Sequence, residues 1–509
     1  MRARWSILVA CLCAGLAVLV SGCGSGGGTS STEAAAPSSV PSATLGMPVK
    51  IQNLDPDLTF DAGNQALHFI GGTLFNIEEG KAVPGLASSA HVSSNELTWT
   101  IKLKPGLKFS DGTPLRSSDV KATFDRAHTD KNNINAFLWT PIKSVEAPNP
   151  TTVIIRLSRP YPSLQQILGY PFMAIFPADR INQKGFFNEP ISAGPYKLTS
   201  WGGGNTAVFE TNPNYAGSPA VISKLTMSTI PDPNTRLSQV SSGQLQLAYA
   251  LPPNLIPQIN SPAVKQVQQL YGLDMMSMQT KKGPLDELGV RQAISEAINR
   301  QQLSEIVWGG EAEPLAQVWP STMAAHDSSI PTDQNLAAAK KSLAGTSCAN
   351  GCNLQLTYSQ EAYPQQEQEA PIIKSNLEEI GIKVSLNNVD PATFFESAFT
   401  LNFDLMLTGL YDFADIPDSI CSLGMLPILQ TNFTGFELPG IEKACTEAMS
   451  QTGAARIAAM REVSEILMKY VPWTPLTGMA HVDATSVPET LIKVQNTLIG
   501  VAHKDGKVW

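Results

Sequence analysis

Ser118-Asp119-Val120-Lys121 puts a hydroxyl and an amine one helical turn apart, the spacing at which a lysine can activate a serine nucleophile. That chemistry needs companion elements. Neither an SDN nor a KTG element accompanies it, so Ser118 and Asp119 are read more simply as a helix cap. No GxSxG, HExxH, P-loop or GxGxxG occurs. The six histidines, His68, His91, His128, His326, His481 and His503, lie far apart in sequence. They can still meet in space, which leaves a histidine-held metal complex open as a bound solute. No resident metal and no cofactor is expected. Carboxylates are too numerous to single out an acid–base pair, and the chain is expected not to be an enzyme.

The seven cysteines divide by position. Arg2 and Arg4 precede an apolar run over residues 7–20, which leads into Val20-Ser21-Gly22-Cys23. The run suits a secretion signal and is shorter than the roughly 20 residues that a spanning helix needs. A small residue before a cysteine resembles the bacterial lipobox, which implies cleavage after Gly22 and lipidation of Cys23. Residues 1–22 then form a signal peptide, and residues 23–45, rich in Gly, Ser, Ala and Pro, a flexible tether. A diacylglyceryl group on Cys23 would hold the protein on the extracytoplasmic face of the cell membrane. Cys11 and Cys13 leave with the signal. Export leaves Cys348, Cys352, Cys421 and Cys445 in an oxidising compartment. Bonds from Cys348 to Cys352 and from Cys421 to Cys445 are the simplest of three pairings, with free thiols as the alternative. Zinc is the weaker reading, since no CxxC occurs and no histidine is near.

The elements that position such groups follow from composition and pattern. The chain is 43% hydrophobic and 16% charged, and it exceeds the size at which a single core keeps growing, so two or three domains are expected. Its formal charge of −9 becomes about −11 once Arg2 and Arg4 leave, and no basic cluster interrupts it, which excludes nucleic acid as a partner. Residues 97–103 and 152–157 read as strands. A helix is expected over 118–127, and another runs without interruption from Val290 to Val307, ending at Gly309. Residues 371–380 read as a helix stopped by Gly381, followed by a strand over 382–386, which together make an α/β unit. A strand over 403–407 and a late helix through Ile457, Met460, Val463 and Leu467 complete a mixed α/β architecture.

Several turn-rich stretches then resemble the family 5 extracellular solute-binding proteins of ABC importers, the oligopeptide and dipeptide binding group. They are Leu54-Asp55-Pro56, Val83-Pro84-Gly85-Leu86-Ala87, the stretch 103–115 with Ser118-Asp119-Val120, Gly194-Pro195-Tyr196-Lys197 with Trp201, Asn212-Pro213-Asn214-Tyr215, and Val290-Arg291-Gln292-Ala293. Six short strings in the family's order are hard to obtain by chance.

The resemblance implies an α/β, two-lobe periplasmic-binding-protein-like fold with a hinge and an extra subdomain inserted in the first lobe. Lobe I is expected from 46–75 with 190–272 and 476–509, the insertion from 76–189, and lobe II from 273–475. The chain is expected to cross between lobes near 271–280 and 472–478. It further implies a monomer that binds a small solute of the peptide class and docks on ABC permease subunits. In that family the segment matching residues 407–418 carries an Asp that pairs with a peptide's α-ammonium, a charge whose burial without an ionic partner is costly. Here Gly409 is retained, Leu410 replaces a tryptophan, and Tyr411, Asp412, Phe413 and Asp415 complete the segment, with Asp415 the better counterpart and Asp412 the alternative. The departure leaves a non-peptide solute open, such as a metal complex, sugar or glycolipid. A regulatory envelope lipoprotein that does not transport is the reading of a different class.

Overall fold

Two unusually long strands, Val264–Met278 and Trp473–Thr485, pair antiparallel through the middle of the molecule. Their partners differ at the two ends. Toward one edge, Trp473–Thr485 meets Leu247–Ala248, followed in order by Ala43–Met47, Lys224–Thr229, Thr206–Thr211 and Tyr196–Ser200. Toward the other, Val264–Met278 meets Leu405–Tyr411, then Cys352–Tyr358 and Ile382–Asn388. One mixed sheet of ten strands thus runs through both halves. The ladder between the long strands shifts register between Gln269 and Leu273 and again between Asp274 and Met275. Such irregularities bend a strand and raise its local twist. The computed structural model describes residues 40–508, apart from 60, 79, 412–419, 422–437 and 496.

Separate cores give the halves their identity. Leu45, Leu67, Phe69, Tyr196, Phe209 and Ile499 belong to the first lobe's core, where Phe69 meets Tyr196 and Phe209 edge to face with centroids 6.0 and 5.5 Å apart. Each such pair adds about 0.5–1.5 kcal/mol beyond the area it buries. A four-stranded antiparallel sheet, ordered Ala87–Val92, Thr98–Leu103, Thr152–Leu157 and Ile142–Asn149, packs a second core with Phe124 and Trp139 of flanking helices. The second lobe holds two further clusters, one around Met276, Ile294 and Leu356 and one around Leu273, Trp319 and Val463. Cys352–Tyr358, the helix Gln366–Glu378 and Ile382–Asn388 form a β-α-β unit with parallel strands, of which the pattern predicts the helix and the second strand.

Several local expectations are corrected. The helix expected from Val290 to Val307 is two helices, Leu288–Ala297 and Arg300–Trp308, because the Asn299 side chain accepts from the Gln302 N–H at 2.9 Å and starts the second one afresh. Gly309 ends it in the left-handed region, at φ 60°. Gln366–Glu378 begins before Pro371 and takes that proline inside it. The helix Ser117–Thr129 starts one residue before Ser118, and Asp119 closes its first turn by accepting from the Arg116 N–H at 2.7 Å. Lys121 is paired with Asp125 one turn on. A strand begins at Ala43, inside the stretch read as tether, because Ala43 and Leu45 are buried beside Lys224–Thr229. Ala174, Phe176 and Ile181, expected in the insertion, pack in the first lobe's core.

Candidate functional site

The helix Ala62–Ile70 buries most of its residues, and His68 lies near its end, one turn beyond Asn64. His68 lines a cavity of about 450 Å³, a size suited to a small solute. Gly71, Thr73, Asn76 and Ile77 continue that wall, and Gly169, Tyr170 and Pro171 add a turn from the insertion. Gln268 and Gln269 enter from the long crossing strand, just before its first register shift. Lys493, Gln495, Leu498 and Gly500 come from the antiparallel hairpin of Ile492–Gln495 with Leu498–Val501. Thr322 arrives from the other half and hydrogen-bonds the Leu270 carbonyl at 3.3 Å.

Charge in this space is sparse. No Asp or Glu lines it among the described residues. Burial, with a smaller contribution from nearby His503, lowers the His68 pKa to about 4, so its imidazole is neutral at physiological pH. The walls therefore offer amides, hydroxyls and one ammonium.

Leu405–Tyr411 ends at the predicted binding segment. Gly409 lies directly opposite Asp274 of the crossing strand, and Leu410 is buried in the core that holds Leu273, Met275 and Trp319. The backbone of Tyr411 pairs with Gly272. Asp412, Phe413 and Asp415 lie outside the described residues. Behind this strand, Asp274 is buried, with Oδ1 3.4 Å from Gln365 Nε2 and Oδ2 lacking a hydrogen-bond partner among the described residues. Glu369, one turn along the helix from Gln365, is equally buried. Desolvation raises both carboxyls well above the usual range, and the charge of Asp274 raises Glu369 further.

The sulfurs of Cys348 and Cys352, and of Cys421 and Cys445, stand at bonding distance, 2.12 Å in each pair. Trp139, Trp308 and Trp473 are buried. Among the described residues, no three His, Cys, Asp or Glu side chains converge as metal ligands, and no helix is long and apolar enough to cross a membrane.

A hinged pair of lobes around a solute-sized cavity defines a binding protein, and the comparisons with known proteins give its family. Residues 81–424 match the model of bacterial extracellular solute-binding proteins, family 5 Middle, and the chain belongs to that family. It is 30% identical over 354 residues to the glutathione-binding protein GsiB of Escherichia coli, covering 66% of this chain and 67% of that one. Its fold is similar to that of the periplasmic binding protein DppA from Helicobacter pylori in complex with peptide STSA, with a TM-score of 0.77, 21% identity, and 92% and 98% of the two chains covered. NikA from Brucella suis in complex with Fe(III)-EDTA is similar too, with a TM-score of 0.81, 21% identity, and 92% and 100% covered. The family serves ABC importers by binding small solutes outside the cytoplasm.

Sequence patterns single out Asp415 and its neighbours but not His68, Gln268, Gln269, Thr322 or Lys493. The advance signal among these is His68, a lone imidazole beside Leu67 and Phe69, and such a histidine is more often a core residue than a ligand contact.

Proposed function

We propose that this protein is a lipid-anchored receptor that traps a peptide-class solute between its lobes and delivers it to the permease of an ABC importer. The observation that carries the reading is the cavity to which His68, the crossing-strand residues Gln268 and Gln269, and Thr322 all contribute. A solute seated there contacts the first lobe, the connection and the opposite half together, so it binds the closed arrangement better than the open one and shifts the population toward it. The peptide class is favoured by the glutathione-binding relative and by the peptide complex of a structural neighbour.

In this reading Asp415, with Asp412 as the alternative, meets the ammonium of the solute, and the backbone around Gly409 and Tyr411 bonds its main chain. Lobe I comprises 46–75, 190–272 and 476–509 together with the start of the strand Ala43–Met47 and the core residues Ala174, Phe176 and Ile181, the remainder of 76–189 is the insertion, and 273–475 is lobe II. Cys348–Cys352 and Cys421–Cys445 are disulfides, the protein works as a monomer, and lipid on Cys23 keeps it beside its permease.

Mass spectrometry of the solute that co-purifies with the protein, native and then denatured, tests the reading. A short peptide is expected. A metal chelate or sugar in its place would overturn the peptide assignment. An empty protein that no peptide stabilises against heat would favour a partner-binding role over transport.

A further inference from the structure

Lys493 is half-buried on the C-terminal hairpin and lines the 450 Å³ cavity. No carboxylate pairs with it among the described residues, and none shares the cavity wall. The polar groups around it are neutral: the carboxamides of Asn76, Gln268, Gln269 and Gln495, the hydroxyls of Thr73 and Thr322, and the uncharged imidazole of His68. Gln269 Oε1 is buried without a partner among the described residues, while its Nε2 donates to the Glu311 carbonyl, so this amide is held at one end only.

An ammonium in a confined space with no counter-charge is poised for an anion, and charge-assisted bonds to carboxylates are among the stronger polar contacts. We propose that Lys493 is a specificity-determining residue that receives a carboxylate of the solute. The inference rests on the cavity being the solute site. It predicts a preference for solutes with a free carboxylate near one end over the same molecules with that group amidated.

The test is calorimetric titration of the wild type, Lys493→Met and Lys493→Arg with glutathione, trialanine and trialanine amide, with melting temperatures confirming that each variant is folded. The wild type is expected to bind trialanine at least tenfold more tightly than the amide. Lys493→Met should abolish that preference by weakening the acid about tenfold to a hundredfold, and Lys493→Arg should retain most of it. An unchanged acid-to-amide ratio in the Met variant overturns the proposal while leaving peptide binding intact. If the wild type holds none of these peptides, the peptide reading fails and the subsite is judged on succinate. Succinate binding that Lys493→Met removes upholds the subsite, whereas absent or undiminished binding overturns it.

Discussion

Arg126 grips Asp55 with two parallel contacts, Nη1 to Oδ1 at 2.9 Å and Nη2 to Oδ2 at 2.5 Å, and the same Nη1 reaches Asp57 Oδ2 at 2.5 Å. The arginine belongs to the helix Ser117–Thr129, whose Val120 and Phe124 pack in the four-stranded sheet's core, while both aspartates follow the strand Ala43–Met47. The pairing therefore locks the opening segment of the first lobe against the inserted subdomain.

Replacing Arg126 by Ala leaves two mostly buried carboxylates without their counter-ion and should lower stability by about 2–4 kcal/mol in denaturant titration. Arg126→Lys should recover only part of the loss, since an ammonium cannot hold a carboxylate in a fork. An unaltered midpoint in the Ala variant would show that water already solvates these groups.

Gly194 is required by contact. A Cβ there would lie 2.5 Å from the carbonyl carbon of Ile70, and the Gly194 N–H already donates to that carbonyl at 2.9 Å. Gly194→Ala should cost about 1–3 kcal/mol through displacement of the helix that carries His68. Because that helix forms one cavity wall, solute affinity should fall with stability. A variant with wild-type melting and binding would contradict this.

Asp274 and Glu369 give stability an unusual pH dependence. Burial raises the Asp274 pKa from 3.8 to about 7, so the folded state holds this proton more firmly than the unfolded chain. The stabilisation is complete below about pH 4 and is lost as pH rises through 7. Asp274→Asn should therefore be more stable than the wild type above pH 7, by about 1–3 kcal/mol, with the advantage shrinking toward pH 4. Melting temperatures from pH 4 to 8 give the comparison, and parallel curves for the two proteins would refute it.

Asp415→Ala should weaken peptide binding at least tenfold without unfolding the protein, from the cost of an ammonium left without its partner. Calorimetry that finds affinity unchanged moves the role to Asp412, for which the same substitution is the next measurement.

Cys23→Ser removes the sulfur that a lipid would occupy. The variant is expected in the soluble fraction after cell fractionation, and continued sedimentation with membranes would argue against the anchor.

Elements with local causes were legible in the chain. Alternation over Thr98–Leu103 and the Gly309 stop both describe what forms, because a strand with one buried face and a helix end answer to neighbours in sequence. The break at Ile298 and Asn299 is hidden, since apolar spacing continues across it and only Asn299 and its bond to Gln302 reveal the restart. The cavity is hidden for a different reason. His68, Gln268 and Lys493 are about 200 residues apart at each step and meet because a helix, a strand of the ten-stranded sheet and a separate hairpin converge in space, an arrangement to which periodicity is blind.

Both long strands that link the halves belong to one hydrogen-bonded ladder, and its register is interrupted between Gln269 and Met275. Hinging at such a joint would bend a ribbon paired on both sides of the irregular stretch. A hinge so built would keep the two halves in register as they part, so that each new guest would meet the same walls.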